Sequence, residues 1–245
     1  MEMASALAAL QKKGFKVGII TGSDIKYIEE QCSIMRDISP VNYKIIDYYP
    51  CNGLKLYRYD KFGKLIPIYI NKMSSFIGQK KYNDIVYLLC DYQSRLKFHI
   101  YGEDIPLTGN FIDCRDSIIN WCPIGRNASS EQRKKWIDVD SQYSARNLIL
   151  ENYFDNDLFK GMTIKLGGET SFDIYPAGWN KSFVLKDLTS YDIWFVGDKC
   201  ENNGNDKEIY DIISKNKNRA YQTKSVKDTI KIIKEIIKRE EKTNG

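Results

Sequence analysis

Two aspartates that follow an apolar run are the first candidates for chemistry. Residues 193–196 are Ile-Trp-Phe-Val, a run typical of a strand buried on both faces, and Gly197 allows a sharp turn after it. Asp198 then projects beyond the carboxyl end of the strand, where open α/β sheets bind ligands. Asp206 follows across a loop that contains Gly204, and two carboxylates at one crevice suit Mg²⁺ holding a phosphate. An ordinary turn also uses Asp, Asn and Gly, and this loop alone favours that interpretation.

Three arginines form a second candidate, an anion site. Arg115 ends a predicted strand, Arg126 lies in the loop after the next strand, and Arg133 lies in the first turns of a helix. Ser129 begins that helix with a capping-box pattern. The connections are short, and guanidinium groups bind phosphate oxygens in pairs, so the three side chains could bind one phosphate together. Each arginine taken alone is typical of a solvated surface charge.

Four further side chains could contact a sugar phosphate. Period-2 alternation places Ser171 and Asp173 on one face of a strand, where a hydroxyl and a carboxylate suit sugar hydroxyls. Ser23 follows a predicted strand over 15–21 and is placed as the N-cap of a helix, a position that also binds anions. Capping is the more common role of such a serine. Lys181 could neutralise a phosphate, although a lone lysine at a turn is usually solvated.

Hydrophobic periodicity predicts a two-part α/β chain. Residues 1–73 and 177–245 alternate strands and helices and predict a Rossmann-like core, whereas 74–176 predict an inserted α+β domain with antiparallel strands. Two helices are expected to bury an apolar stripe. The expected buried residues are Phe76, Ile77, Ile85, Leu88 and Leu89 in the first helix, and Ile230, Ile233 and Ile237 in the last.

Composition narrows the class of protein. The 245 residues carry a net charge of +5 without a long basic block, so nucleic acid is not expected as a partner. The six cysteines lack CxxC spacing and only one histidine is present, which argues against a zinc site and a disulfide framework. A signal peptide and an apolar span are not apparent, so we expect a cytoplasmic protein that does not use a membrane.

Several motifs together resemble one family. They are Thr21-Gly-Ser-Asp24, Asn52-Gly53, Phe111-Ile-Asp-Cys-Arg115, Pro123-Ile-Gly-Arg126, Arg133, Gly167-Gly-Glu-Thr-Ser-Phe-Asp173, Gly178-Trp-Asn-Lys181, Gly197-Asp-Lys199 and Gly204-Asn-Asp206. Their order and spacing resemble the eukaryotic-type phosphomannomutase family of the haloacid dehalogenase superfamily, from about residue 3 to the end. The resemblance implies an α/β Rossmann-like core of the haloacid dehalogenase type, incomplete at its N-terminus, with an inserted α+β cap.

The resemblance also implies a role for each candidate residue. Arg115, Arg126, Arg133, Ser171 and Asp173 match substrate-binding positions of the cap. Ser23 and Lys181 match core phosphate motifs, Asp198 matches a magnesium ligand, Asp206 matches the second carboxylate of that motif, and Tyr210 matches a carbonyl that binds a further cation. Mg²⁺ and a hexose 1,6-bisphosphate activator are implied as cofactors. A homodimer through the caps is implied as well, with Phe111 near the interface.

The implied activity is interconversion of mannose 6-phosphate and mannose 1-phosphate for GDP-mannose synthesis and protein glycosylation. The family's nucleophile and acid/base lie in an Asp-x-Asp-Gly-Thr motif that these 245 residues do not contain, so no catalytic residue is assigned. One hypothesis is a working phosphomannomutase whose phospho-aspartate lies outside the chain as given. The other is a non-catalytic sugar-phosphate binder or partner subunit. A sugar-phosphate phosphatase is a weaker third hypothesis, because it needs the same nucleophile.

Overall fold

The computed structural model describes residues 2–37, 42–96, 105–202, 204–216 and 219–243. The chain divides into a first unit, Met1–Ile70 with Trp179–Gly245, and a second unit, Asn71–Gly178. The assignment of these units as core and cap stays a prediction. No helix in the described ranges combines the length and the apolar character needed to cross a membrane.

The first unit contains helices and short strands in alternation. Its elements are α1 (Glu2–Lys12), β1 (Gly18–Ile20), α2 (Ile25–Asp37), β2 (Asp47–Tyr49), β3 (Lys55–Tyr59) and β4 (Leu65–Ile70), then β9 (Phe195–Gly197), α7 (Lys207–Ser214), β10 (Ala220–Gln222) and α8 (Val226–Thr243). Two 3₁₀ helices, Cys51–Gly53 and Lys181–Lys186, pack against each other. The unit therefore has the α/β alternation that the sequence predicts.

The second unit is built on one antiparallel sheet. Its elements are α3 (Met73–Ile77), α4 (Gln79–Arg95), β5 (Ile112–Cys114), β6 (Ile119–Trp121), α5 (Ser130–Tyr143), α6 (Ala145–Tyr153), β7 (Met162–Gly167) and β8 (Ser171–Pro176). The strand order is β5-β6-β8-β7. The predicted hairpin around Asp116-Ser117 is confirmed, and Ser129 caps α5 with Gln132 as the capping-box pattern predicts.

One face of this sheet is an aromatic core. Trp121 and Phe172, directly opposite each other on β6 and β8, stack with ring centroids 5.3 Å apart. The Trp121 indole donates to Gln93 of α4 at 2.8 Å, which satisfies its buried N–H. Alternation then turns the neighbouring residues of both strands to the opposite face, where the polar candidates lie.

Helical burial differs in part from the expected stripes. Ile85 and Leu89 of α4 are buried, but Phe76 is 63% exposed, so its prediction was wrong. In α8, Ile233 is buried together with Ile232 and Ile236, whereas Ile230 and Ile237 are only half-buried. α8 packs against α1.

The first unit contains two separate sheets. One has the order β1-β2-β3-β4 and the other pairs β9 with β10, with β1 parallel to β2 and β9 parallel to β10. β9 is therefore a strand at the edge of its sheet. Phe195 is buried, as predicted, but Val196 on the opposite face is only half-buried, so the prediction was wrong for that face. Among the described residues, one edge of β1 and one edge of β9 have no partner strand.

The hydrogen bonds show which backbone groups face these edges. Val17 O accepts from Asp47 N, and Thr21 N donates to Tyr49 O, so the intervening Gly18 and Ile20 direct their amide groups away from β2. In β9, Phe195 N donates to Arg219 O and Thr223 N donates to Gly197 O, so Val196 faces away from β10. Both edges thus present backbone groups that a parallel strand could pair.

Side chains connect β1 and β9 near both ends. Before the strands begin, Lys16 Nζ lies 2.8 Å from the Tyr191 hydroxyl. Farther along, Ile20 of β1 packs against the apolar cluster that contains Phe195 of β9. The segments that carry β1 and β9 therefore lie in the same region of the first unit.

Candidate functional site

A transverse row of polar side chains crosses the sheet of the second unit. Asp113, Asn120, Asp173 and Lys165 are directly opposite one another on β5, β6, β8 and β7, so all four share one face. Asn120 Nδ2 donates to Asp173 Oδ1 at 2.7 Å and to Ser171 Oγ at 2.9 Å. The structure therefore brings the predicted pair Ser171 and Asp173 together and joins them through an asparagine.

The three predicted arginines converge on this row. Arg115 Nε donates to Asp113 Oδ2 at 2.8 Å, and Arg126 Nε lies 3.5 Å from the same oxygen. Arg126 also donates to Asn120 Oδ1 at 2.8 Å. Arg133 donates to the backbone carbonyl of Arg126 at 2.7 Å, which holds the Arg126 loop in place. The arginines thus lie in one hydrogen-bonded cluster.

The electrostatics of the cluster favour an anion. The cluster contains three guanidinium groups and two carboxylates, those of Asp113 and Asp173, which leaves a local excess of positive charge. Burial lowers the pKa of Arg126, and the neighbouring Arg115 adds to the effect, so an anion near Arg126 would relieve both costs. Burial raises the pKa of Asp173, although the hydrogen bond from Asn120 and the charges of the arginines oppose it. A phosphate is the group that offsets this charge pattern with paired oxygens.

Gly167 allows Ser171 and Asp173 to pack closely. A Cβ on this residue would lie 2.9 Å from Ser171 Oγ and 3.0 Å from Asp173 Oδ1. Ser171 Oγ donates to the Gly167 carbonyl at 2.6 Å, which fixes the orientation of the hydroxyl. A side chain at position 167 would therefore displace both polar groups.

The first unit brings Lys181, Asp198 and Asp206 together. Asp206 is 2% exposed, and its Oδ1 accepts from Lys181 Nζ at 2.5 Å. Its Oδ2 accepts from the backbone amides of Asp198 and Lys199, both at 3.2 Å. Gly197 makes room for this arrangement, since a Cβ there would lie 2.8 Å from Asp206 Oδ2. Asp206 thus holds the loop, and the Asp198 carboxylate is exposed beyond the end of β9.

These residues alone do not make a complete metal site. Both oxygens of Asp206 already accept hydrogen bonds, which leaves Asp198 as the exposed carboxylate of the predicted pair. Within the described ranges, no group of three or more Asp, Glu, His or Cys side chains is arranged to hold a metal ion. A magnesium ion at Asp198 would need further oxygen ligands, because Mg²⁺ requires six.

Tyr210, the residue predicted for a further cation, lies inside α7. Its amide donates to the Asp206 carbonyl at 3.0 Å, and carbonyls within a helix accept from the amide four residues later. Residues 217–218, which belong to the same predicted cation region, lie outside the described residues. This cation site stays a prediction.

Ser23 lies in the turn between β1 and α2. The helix starts at Ile25, and Asp24 O accepts from Tyr27 N, so Asp24 rather than Ser23 occupies the N-cap position. The predicted capping role of Ser23 was therefore wrong. Among the described residues, none forms a hydrogen bond with the Ser23 hydroxyl, while Ser23 O accepts from Cys51 N at 2.9 Å. The hydroxyl is thus available to a ligand.

Two residues near these sites were missed by the sequence analysis. Asn120 is one, and its signal was a single amide in the apolar stretch Ile118-Ile-Asn-Trp121. Lys55 is the other: it is 2% exposed and its Nζ lies 3.0 Å from Asp24 Oδ1, beside Ser23. Strand register and burial revealed these contacts, and neither is visible in residue type alone.

Known proteins are similar to this chain in both sequence and fold. The family described as eukaryotic phosphomannomutase matches residues 3–239. The phosphomannomutase of Saccharomyces cerevisiae is 31% identical over 240 residues, which cover 96% of this chain and 86% of the yeast protein. That of Dendrobium officinale is 33% identical over 202 residues, 82% of this chain and 73% of the plant protein.

Solved structures show the fold alone, because their sequence identity is low. A protein of Streptococcus mutans UA159 has a TM-score of 0.57 at 12% identity and covers 96% of this chain and 91% of its own. The N-terminally truncated IMP-nucleotidase of Plasmodium falciparum has a TM-score of 0.54 at 14% identity, covering 95% of this chain and 64% of its own. The predicted α/β fold class is confirmed. With the family match over residues 3–239, the chain belongs to the eukaryotic phosphomannomutase family.

Proposed function

We propose that this chain provides the sugar-phosphate-binding parts of a phosphomannomutase that interconverts mannose 6-phosphate and mannose 1-phosphate for GDP-mannose synthesis. The observation that carries the proposal is the hydrogen-bonded cluster of Arg115, Arg126, Ser171 and Asp173 around Asn120. It combines groups for a phosphate with groups for sugar hydroxyls. We also propose that the second unit is the cap and the first unit is the core.

The cluster would bind both ends of a hexose phosphate. Arg115, Arg126 and Arg133 would hold the phosphate that does not react, since guanidinium forks pair with phosphate oxygens. The Ser171 hydroxyl would donate hydrogen bonds to ring hydroxyls or accept them, and the Asp173 carboxylate would accept them. The guanidinium groups would bind a phosphate on either carbon 1 or carbon 6 of the sugar. The same residues would therefore bind mannose 1-phosphate and mannose 6-phosphate.

The first unit would handle the reacting phosphate. The Ser23 hydroxyl has no described hydrogen-bond partner, and Lys181 would contribute a positive charge while Asp206 keeps it in place. Asp198 would be one ligand of Mg²⁺, whose charge offsets that of the reacting phosphate when the ion is bound. The remaining carboxylate ligands of the Mg²⁺ ion would come from the Asp-x-Asp-Gly-Thr motif, which these 245 residues do not contain.

The phospho-aspartate would come from a strand that ends in that motif. The open edges of β1 and β9 support this step, because a parallel strand between them would pair the backbone groups of Gly18, Ile20 and Val196. Its first aspartate would carry the phosphoryl group and its second would act as general acid and base. Transfer to the sugar gives a hexose bisphosphate, which returns its other phosphate to the aspartate. A hexose 1,6-bisphosphate would therefore activate the enzyme.

A homodimer through the second unit is part of the proposal. β5 is an edge strand, and Phe111 directly precedes it. α4 packs beside β5 and carries Tyr87, which is 72% exposed. Exposed aromatic area beside an open edge suits a symmetric interface. Sedimentation of the full chain and of a Tyr87→Glu variant would test it, since the charge should shift the protein towards a monomer.

Calorimetry of the full chain tests the binding part of the proposal. We expect mannose 1-phosphate to bind more tightly than inorganic phosphate or mannose, because only the sugar phosphate uses both halves of the cluster. Arg126→Ala should reduce the affinity about tenfold to a hundredfold, whereas Arg95→Ala, which removes an exposed arginine of α4 paired with Asp91, should not. Absence of mannose 1-phosphate binding in the folded wild type would overturn the proposal.

A graft tests the catalytic part. A strand ending in Asp-x-Asp-Gly-Thr is fused before Met1, and a matched graft carries Asn in place of the first aspartate. We expect Mg²⁺-dependent mutase turnover only in the first graft, with protection of the Gly18, Ile20 and Val196 amides from hydrogen exchange in both. A protected but inactive Asp graft would leave the non-catalytic binder as the correct hypothesis.

A further inference from the structure

Asn120 links the phosphate side and the sugar side of the cluster. Its Oδ1 accepts from Arg126 at 2.8 Å, while its Nδ2 donates to Ser171 at 2.9 Å and to Asp173 at 2.7 Å. Nδ2 also lies 3.4 Å from the Phe172 carbonyl. One amide therefore fixes a guanidinium with its acceptor end and two sugar-facing groups with its donor end.

The amide is costly unless these contacts form. Asn120 is 2% exposed and occupies a strand in which Ile119 and Trp121 are fully buried. Moving an amide from water to such a place is unfavourable unless its hydrogen bonds are replaced. Neither a carboxylate nor an apolar side chain of this size can accept from Arg126 and donate to Asp173 at once. The residue type thus fits a connecting role between unlike groups.

We propose that Asn120 is a positioning residue that makes tight binding depend on a phosphate and a sugar held together. It fixes Arg126 and the Ser171–Asp173 pair in one geometry, so a ligand that engages only one side gains less than one that engages both. The proposal rests on the proposed function, because it assumes that the cluster binds a hexose phosphate.

Replacing Asn120 with aspartate adds a negative charge, and the proposal predicts that ligand binding by this variant depends on pH. In Asn120→Asp, a second carboxylate would face Asp173 across the former 2.7 Å hydrogen bond. Two such carboxylates share one proton, and the protonated oxygen restores a donor where Nδ2 was. Four charged groups face the pair: Arg115, Arg126, Asp113 and Lys165. Arg115, Arg126 and Lys165 favour the ionised pair and lower the pH at which it takes up the shared proton, whereas Asp113 raises that pH.

The experiment measures mannose 1-phosphate binding by calorimetry near pH 8 and near pH 6. The variants are Asn120→Asp and a control, Asn152→Asp, which makes the same change at an exposed position of α6. We expect Asn120→Asp to bind about tenfold to a hundredfold more weakly than wild type near pH 8, and to recover most of this loss near pH 6. The control should match wild type at both values.

Each outcome bears on a different claim. A wild type that binds no mannose 1-phosphate overturns the proposed function, and this inference with it. A wild type that binds, together with an Asn120→Asp variant within twofold of it or equally weak at both pH values, overturns the inference alone. The phosphate of mannose 1-phosphate itself takes up a proton near pH 6, so a parallel titration with sulfate, whose charge is constant between pH 6 and pH 8, separates protonation of the protein from that of the ligand.

A second variant covers the case in which Asn120→Asp does not fold. The hydroxyl of Asn120→Ser is too short to reach Arg126 and Asp173 together. We expect it to lose about tenfold in affinity for mannose 1-phosphate while its affinity for inorganic phosphate stays within threefold, because the arginines remain. Equal losses for both ligands would show a merely structural role and overturn the inference.

Discussion

Lys181 and Asp206 form a buried ion pair that holds the loop after β9. Lys181 Nζ lies 2.5 Å from Asp206 Oδ1, with both side chains less than a tenth exposed. Asp206 Oδ2 meanwhile accepts from two backbone amides of the loop. Three donors, the Lys181 ammonium and two backbone amides, thus replace the water that the Asp206 carboxylate loses on burial.

Removing the lysine should therefore destabilise the protein strongly. Lys181→Met leaves the Asp206 carboxylate buried without its counter-charge, a change that costs about 3–5 kcal/mol in other buried pairs. Lys207→Met is the matched control, because Lys207 pairs with Asp211 across one turn of α7 and both are partly exposed. That control should cost about 0.5 kcal/mol. Urea unfolding of the three proteins gives the comparison, and equal costs would contradict the buried-pair account.

Gly167→Ala should reduce ligand affinity. Its Cβ would meet Ser171 Oγ at 2.9 Å and Asp173 Oδ1 at 3.0 Å, so both side chains must shift. We expect about a tenfold loss in mannose 1-phosphate affinity, the size of one displaced hydrogen bond. Gly168→Ala separates this effect from backbone strain. Gly168 has a φ of +57° and open space around its Cβ, so alanine there should cost about 1 kcal/mol of stability and leave the affinity unchanged.

Local patterns predicted much of the second unit correctly. The hairpin around Asp116-Ser117, the Ser129 capping box and the shared face of Ser171 and Asp173 all depend on neighbours in sequence, which a reader of the sequence can see. Clustering of the three arginines also followed, because short connections limit how far Arg126 and Arg133 can lie apart.

Contacts between distant segments were not predictable in the same way. Asn120 gains its contact with Asp173 from strand register, which pairs β6 with a strand 53 residues later in the sequence. The hydrogen bond to Asp206 Oδ1 also comes from a distant residue, Lys181, 25 residues earlier. An apolar run such as Ile193-Trp-Phe-Val196 predicts a strand. It does not predict how many strands pair with it, and β9 pairs only with β10 among the described residues.

Asp173→Asn should raise the stability of the protein relative to wild type near pH 8 and weaken its binding of mannose 1-phosphate. Burial raises the pKa of the Asp173 carboxyl, so the folded protein retains a proton at a pH where the unfolded chain has lost it. Wild-type stability therefore falls as the pH rises from the unfolded-state pKa through the folded one. The amide of the variant does not titrate, so the variant does not lose stability in this way. Its oxygen can still accept a hydrogen bond from Asn120. We expect the urea midpoint of the variant, relative to wild type, to be higher near pH 8 than near pH 4.

Binding should change in the opposite direction. The amide of Asp173→Asn offers a weaker acceptor to a sugar hydroxyl than a carboxylate does, so mannose 1-phosphate affinity should fall about tenfold near pH 8. A stability difference that is the same at both pH values would show that burial does not disfavour the Asp173 carboxylate.

Cys200 should be a slow thiol that reports on the loop held by Asp206. Burial raises the pKa of Cys200 to about 11, and the Asp206 and Glu201 carboxylates add to the rise. Its thiolate fraction near pH 8 is then about one in a thousand, and the thiolate is the reactive form. Exposed Cys90 and Cys114 should therefore react first with iodoacetamide, as peptide mass spectrometry can show.

The comparison with unfolded and loosened protein makes this prediction specific. In urea, all of these cysteines should react at similar rates, because burial and neighbouring charge are lost. In folded Lys181→Met, Cys200 should react faster than in wild type, since the loop after Gly197 has lost the ion pair that anchors Asp206. Modification of Cys200 as fast as Cys90 in the folded wild type would show that the loop opens freely, and the anchoring role assigned to Asp206 would then be wrong.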